Sequence, residues 1–90
     1  MPTRTLTIIN KLGLHARAAA KFVAVAQQHD CQVQVGKCAN SLVDGKSIMQ
    51  VMMLAASKGT EVCICCEGEH AEQALDDLQA LINDYFGEGE

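Results

Sequence analysis

Two stretches of this 90-residue chain gather side chains able to do chemistry. The first is Gly13-Leu14-His15-Ala16-Arg17, which runs into the alanine-rich segment 16–27 (ARAAAKFVAVAQ). Six Ala in twelve residues predict a helix, and His15 falls just before its first turn. The leading N–H groups of a helix lack internal partners and its start is partly positive, so that end attracts phosphate. The same end favours a neutral imidazole, whose unprotonated nitrogen is a nucleophile. Arg17 adds a guanidinium fork that matches phosphate oxygens. The chemistry this pattern suits is phosphoryl acceptance on His15, with the added charge stabilised by the helix end and by Arg17. Gly13 would let the chain turn tightly, and Leu14 would anchor the loop in the core. The plainer alternative is a surface or weakly capping His15 beside a solvated Arg17, since a single His before a helix is common.

The second stretch is Lys46-Ser47-Ile48-Met49-Gln50-Val51-Met52-Met53-Leu54. Ser47 followed three residues later by Gln50 fits a capping box opening a helix over 47–57. That helix is apolar nearly all round, more than a small domain can bury. Val51 and Leu54 share the side expected to face the core. Ile48, Met49 and Met52 lie more to the other side, where flexible Met side chains suit a surface that meets more than one partner. The alternative is a helix that is simply well buried. A phosphate on Ser47 would not unfold the helix, since charge at an N-cap is tolerated, but it would set a dianion beside the patch.

The five Cys are an odd number and too few for a disulfide scaffold, so they are read as reduced thiols. Cys63 and Cys65 alternate with Val62 and Ile64, which places the two thiols on the open face of a sheet. Cys31 is expected to face inward with Val33, and Cys38 to sit in a turn. Two thiols fall short of a closed zinc site, and His29 and His70 complete no ligand spacing, so no metal or cofactor is expected.

These groups need elements to position them. Residues 3–9, 31–35 and 61–66 alternate apolar and polar as half-buried strands, with 41–43 as a short edge strand. Residues 10–13 and 36–40 read as a loop and a turn. Gly59 is a candidate left-handed cap after the second helix. Residues 70–86 form the longest helix, with Ala71, Ala74, Leu75, Leu78, Leu81, Ile82 and Tyr85 on one face and Gly87 ending it. The order β-α-β-β-α-β-α, with three one-faced helices, predicts an α+β fold of two layers, helices on one side of an antiparallel sheet. With no internal repeat or linker, residues 1–90 are expected to make one domain.

Composition narrows the function. Hydrophobic residues make up 49% and charged residues 20%, which excludes disorder and low-complexity filaments. Residues 1–60 hold all seven Lys and Arg against Asp30 and Asp44, a balance of +5. Residues 61–90 hold nine acids and no base, a balance of −9. The acidic total, with two Phe, one Tyr and no Trp, argues against nucleic-acid binding. The basic first two-thirds suit an anionic ligand or an acidic partner surface. No apolar run nears the roughly 18 residues of a membrane span and no signal-peptide core opens the chain, so a cytoplasmic location is expected.

The segment Asn10-Lys11-Leu12-Gly13-Leu14-His15-Ala16-Arg17, continuing into Ala19-Ala20-Lys21-Phe22-Val23, resembles the active-site loop and first helix of the histidine-containing phosphocarrier (HPr) family. Lys46-Ser47-Ile48-Met49 and Val51-Met52-Met53-Leu54 resemble its second helix, and Lys58-Gly59-Thr60 and Glu67-Gly68-Glu69 match as well. The likeness covers nearly the whole chain in order. It implies sheet order 1-4-2-3 and a bacterial phosphoenolpyruvate-dependent phosphotransferase system. In that relay His15 would accept a phosphoryl group on Nδ1 from the phosphohistidine of enzyme I and pass it to an enzyme IIA-type protein. Such a carrier supplies no independent catalysis. By the same resemblance Arg17 and the backbone N–H groups of Ala16 and Arg17 hold the phosphate, and Ile48, Met49 and Met52 form the docking surface. Ser47 matches a serine modified by a dedicated kinase in some bacteria, and the family precedent is a monomer. Ala18 stands where the family usually has Pro, and Gln50 where a Gly is common. With the acidic Gly87-Glu88-Gly89-Glu90 end, these departures place the sequence nearer the nitrogen-related branch (NPr). Against the carrier stand a binding module switched at Ser47, with little flux through His15, and a thiol-based metal or redox protein.

Overall fold

The computed structural model describes residues 2–37 and 40–87. Four strands and three helices follow in the expected order: β1 (Thr3–Thr7), α1 (Ala16–Gln27), β2 (Gln32–Gly36), β3 (Val43–Asp44), α2 (Ile48–Met53), β4 (Glu61–Glu67) and α3 (Ala71–Asn83). The sheet is antiparallel throughout, in the order β1-β4-β2-β3. Long β4 lies in the interior, pairing Leu6 with Val62 on one side and Val33 with Cys66 on the other. Its inward residues Val62, Ile64 and Cys66 meet Phe22, Val23 and Ala26 of α1 and Leu75, Leu78 and Ile82 of α3 in one hydrophobic core.

The boundaries move where tertiary contacts compete with local pattern. β1 ends at Thr7 rather than residue 9, because the N–H of Ile8 donates to Thr60 O at 2.9 Å and the carbonyl of Ile8 accepts from Gly59 at 2.7 Å. β2 starts and ends one residue later than the expected 31–35 with the same face inward. The edge strand is Val43–Asp44 instead of 41–43, paired with Val35 and Gln34. Cys38, assigned to the turn, lies outside the described residues, as do Glu88 to Glu90.

α2 is shorter than the expected 47–57. Its end tightens through i→i−3 bonds from Leu54 to Val51 O and from Ala55 to Met52 O, and Ala55 turns left-handed at φ 52°. Beyond that end the carbonyl of Ala56 accepts the N–H of Leu14 at 2.8 Å, tying the segment after α2 to the loop before α1. Gly59 (φ 91°) therefore shapes the turn into β4 rather than capping the helix. The capping box is half formed. Ser47 Oγ accepts from Gln50 N at 3.3 Å, but the Gln50 side chain accepts from Asp44 N at 2.9 Å instead of reaching Ser47.

α3 starts and stops inside the expected 70–86. Tyr85 and Phe86 both take positive φ, 56° and 53°, so the chain reverses hand and the helical periodicity slips by one residue. Tyr85, expected in the apolar stripe, is largely turned out, and Phe86 is wholly buried in its place. Lys21 Nζ donates to the carbonyl of Phe86 at 2.6 Å and helps hold this turn.

The charge asymmetry has a structural use. Arg4 on β1 donates to Asp76 and Gln79 at 2.8 Å and to Glu72 at 3.3 Å, tying the edge strand to α3. His29, at the end of α1, lies 2.8 Å from Asp77. Part of the basic–acidic division is thus satisfied inside the molecule.

The face of the sheet away from the helices is not open at its centre. Cys63 and Cys65, expected there with access to solvent, are both buried. β4 is flanked on both sides, with Thr5 opposite Cys63, Thr3 and Gln34 opposite Cys65, and the larger neighbours shade the small thiols. Cys31 and Cys66 are buried on the core side, and burial, with Cys31 close by, pushes the Cys66 thiol up to about 12. A raised thiol pKa stabilises the fold fully below the unfolded value near 9.0, and that contribution is lost as pH rises from there toward about 12. In alkylation mapped by mass, Cys31, Cys63, Cys65 and Cys66 of the native protein are expected to react much more slowly than the same residues in urea. Equal rates would contradict this packing.

Candidate functional site

The loop before α1 is held from both ends. Asn10 is wholly buried, its Nδ2 donates to Gly13 O at 2.8 Å, and Gly13 N returns a bond to Asn10 O at 3.2 Å. Gly13 adopts φ 68°, and a Cβ there would lie 2.4 Å from the Ala56 carbonyl oxygen and 2.8 Å from the Ser57 Cα. The missing side chain is what lets the segment after α2 pack against this loop, and buried Leu14 then locks it through its N–H to Ala56 O. Gly13→Ala meets both the left-handed backbone and the clash. It is expected to lower stability by at least about 1–3 kcal/mol, read as a drop in the urea midpoint. A midpoint equal to wild type would show that the loop is not pinned this way.

His15 is the N-cap of α1, with extended backbone (φ −75°, ψ 179°). Its Nδ1 accepts the N–H of Arg17 at 3.3 Å, and its carbonyl takes the first helical bond, from Ala19 N at 2.8 Å. An Nδ1 that accepts carries no proton, so in the neutral ring the proton sits on Nε2 and the Nδ1 lone pair faces the amide end of the helix. His15 is half-buried. The Ala16 and Arg17 side chains are exposed. Arg17 makes no ion pair among the described residues, so its guanidinium is available to an anion.

The second stretch divides as its spacing predicts. Val51 is buried and Leu54 packs against the core, while Ile48, Met49 and Met52 stand out at 43%, 73% and 41% exposure. Met53 at 78% and Leu12 at 67% enlarge the apolar surface. Neither was singled out from sequence. Leu12 lies in the same loop as Gly13, so apolar surface is available both on α2 and on the segment leading to His15. Ser47 is half-buried, with its hydroxyl engaged as the α2 cap.

The burial of Asn10 and Ala18 was also missed. An Asn three residues before a Gly is a turn signal that reads on the page, but its burial is a matter of what packs over the turn. Lys11 and Lys58 border a separate shallow cleft with Thr7, Ile8, Ile9, Gly59 and Tyr85, part of the basic character of the first 60 residues. Among the described residues no three His, Cys, Asp or Glu converge as metal ligands, and no helix is long and apolar enough to cross a membrane.

A two-layer β-α-β-β-α-β-α domain with an imidazole at a helix N-terminus, an arginine that makes no ion pair among the described residues and an exposed apolar surface fits the phosphohistidine-carrier class. The model of the family described as "PTS HPr component phosphorylation site" matches residues 2–84. A phosphocarrier protein HPr of Pseudomonas putida is 63% identical over 90 residues, spanning 100% of both chains. Among solved structures, HPr-C-His from Thermoanaerobacter tengcongensis superposes with a TM-score of 0.91 at 43% identity, covering 98% of each chain. A structure described as an HPr dimer from the same organism gives 0.75 at 43% identity, covering 98% of this chain and 100% of that one. The chain belongs to the HPr family.

Proposed function

We propose that this protein is a phosphoryl carrier of a phosphoenolpyruvate-dependent phosphotransferase system, taking phosphate from enzyme I on His15 and handing it to an enzyme IIA-type protein. The observation that carries the reading is the bond from Arg17 N–H to His15 Nδ1, which leaves that nitrogen unprotonated at the positive end of α1. The Nδ1 lone pair attacks the phosphorus of the donor phosphohistidine. An N–P bond forms at His15 as the donor's N–P bond breaks, and the donor imidazole leaves with the bonding pair. The phosphoryl oxygens then replace Nδ1 as acceptor for the Arg17 amide and also accept from the Ala16 amide, and the Arg17 guanidinium takes up the remaining charge. In the second transfer the roles reverse. A half-buried site suits this exchange, because a deep pocket would over-stabilise the adduct and exclude the next partner.

Ile48, Met49 and Met52, with Met53 on the same helix, give both partners an adaptable apolar contact, and exposed Leu12 adds apolar surface on the loop before His15. A phosphate placed on Ser47 by a serine kinase would keep the α2 cap but set a dianion beside Ile48 and Met49, lowering transfer. Ala18, Gln50 and the acidic C-terminal residues support the nitrogen-related branch, and phosphoenolpyruvate as phosphoryl source supports a cytoplasmic location. We read the working form as a monomer, whose docking surface stays free. The experiment is a two-step transfer. Protein phosphorylated by catalytic enzyme I and freed of it is mixed with an enzyme IIA-type acceptor. Phosphate moving to the acceptor in equal amount is expected, and phosphate lost only to water would overturn the carrier reading.

A further inference from the structure

An open cleft of about 680 Å³ lies where the end of β1, the turn into β4 and the end of α3 meet. Small-molecule sites span roughly 300–1,000 Å³. The backbone beneath the cleft is fixed, because Ile8 N donates to Thr60 O at 2.9 Å and Gly59 N donates to Ile8 O at 2.7 Å. Gly59, left-handed at φ 91°, leaves it uncovered, since a Cβ there would meet nothing within 4 Å. Lys11 and Lys58 line the cleft, both exposed, and neither makes an ion pair or side-chain hydrogen bond among the described residues. Arg4, Lys21 and Lys46, by contrast, are each engaged within the molecule. No acidic residue lines the cleft, in a chain with eleven acids against seven Lys and Arg. Tyr85 borders it as well. Its left-handed backbone (φ 56°) is costly for an aromatic residue, and the turn that buries Phe86 leaves the Tyr85 side chain at the cleft with 38% exposure. Two uncompensated ammoniums suit a doubly charged anion, and an exposed ring suits a flat apolar body. We propose that this cleft binds a small aromatic phosphate ester of the nucleotide class, with Lys11 and Lys58 neutralising the phosphate and Tyr85 stacking on the ring. The site shares no side chain with the phosphoryl site at His15.

The test titrates the full-length, unphosphorylated protein, labelled with nitrogen-15, with adenosine monophosphate, adenosine and ribose 5-phosphate at physiological ionic strength. Adenosine monophosphate is expected to cause saturable amide shifts at Thr7, Ile9, Lys11, Gly59 and Tyr85. Adenosine and ribose 5-phosphate are each expected to bind about tenfold more weakly, since one lacks the charge and the other the ring. Changing both Lys11→Met and Lys58→Met removes two exposed charges without disturbing the core. This double variant is expected to weaken adenosine monophosphate about tenfold and leave adenosine unchanged, a split that a merely structural change would not produce. Tyr85→Leu is expected to weaken adenosine monophosphate about tenfold, and Tyr85→Phe to retain the binding of the wild type. Shifts confined to Ala16 and Arg17, shifts that never saturate, or equal binding of adenosine monophosphate and ribose 5-phosphate would overturn the proposal. Adenosine monophosphate binding that survives the double lysine variant would overturn it too. None of these outcomes bears on phosphate transfer through His15.

Discussion

His15→Ala is expected to take up no phosphate at all from phosphoenolpyruvate and enzyme I, because no other group at the start of α1 offers an unprotonated nitrogen. It also removes the N-cap acceptor for Arg17, which costs about 0.5–2 kcal/mol of stability. His15→Asn separates the two losses. Asn is a good N-cap but not a phosphoryl acceptor, so this variant should keep the urea midpoint of the wild type and still carry no phosphate. Intact-mass measurement reads the adduct, and denaturation reads the cap. A phosphorylated His15→Asn protein would move the acceptor elsewhere in the chain.

The second large effect is expected at the apolar patch. Met49 and Met52 are exposed at 73% and 41%, so truncating both to Ala should leave the fold intact. If each fills a central contact with enzyme I, each is worth about 2 kcal/mol, roughly 30-fold in affinity. The double variant should raise the KM for phosphate acceptance by two orders of magnitude or more, with kcat little changed at saturation, the pattern of lost docking rather than lost chemistry. A fall in kcat at unchanged KM would place these residues in the transfer step. An unchanged KM and kcat would leave the patch without a role in docking.

How much of this was legible beforehand differs from element to element. The boundaries of α1 read directly from the sequence, because six Ala and an apolar stripe agree with the tertiary answer. That His15 turns its ring toward the amide end of α1, rather than out to solvent, is seen only in the bond from the Arg17 N–H to its Nδ1. α2 is shorter than its local pattern implies, because nothing local shows that Ala55 turns left-handed and that the segment after it packs on Leu14. Tyr85 and Phe86 exchanged places for a similar reason: a left-handed pair of aromatic residues is locally unfavourable, and burial of Phe86 outweighs the cost. Cys63 and Cys65 were placed on the correct face but with the wrong exposure. Alternation gives the side of a strand, whereas shading depends on which strands flank it. The burial of Asn10 and Ala18 became visible only with coordinates, since both are statements about what surrounds a group rather than about its type.

The central claim is that His15 Nδ1 carries the transferred phosphate. Phosphorus and nitrogen-15 NMR of the ring-labelled protein, after incubation with phosphoenolpyruvate, magnesium and enzyme I, tests it most directly. The account predicts one phosphoryl group per chain, labile in acid and stable in base, with phosphorus coupled to Nδ1 of His15 and the proton retained on Nε2. A phosphate on Nε2, on Ser47 or on His29 or His70, or none while the same enzyme I charges another carrier, would contradict it.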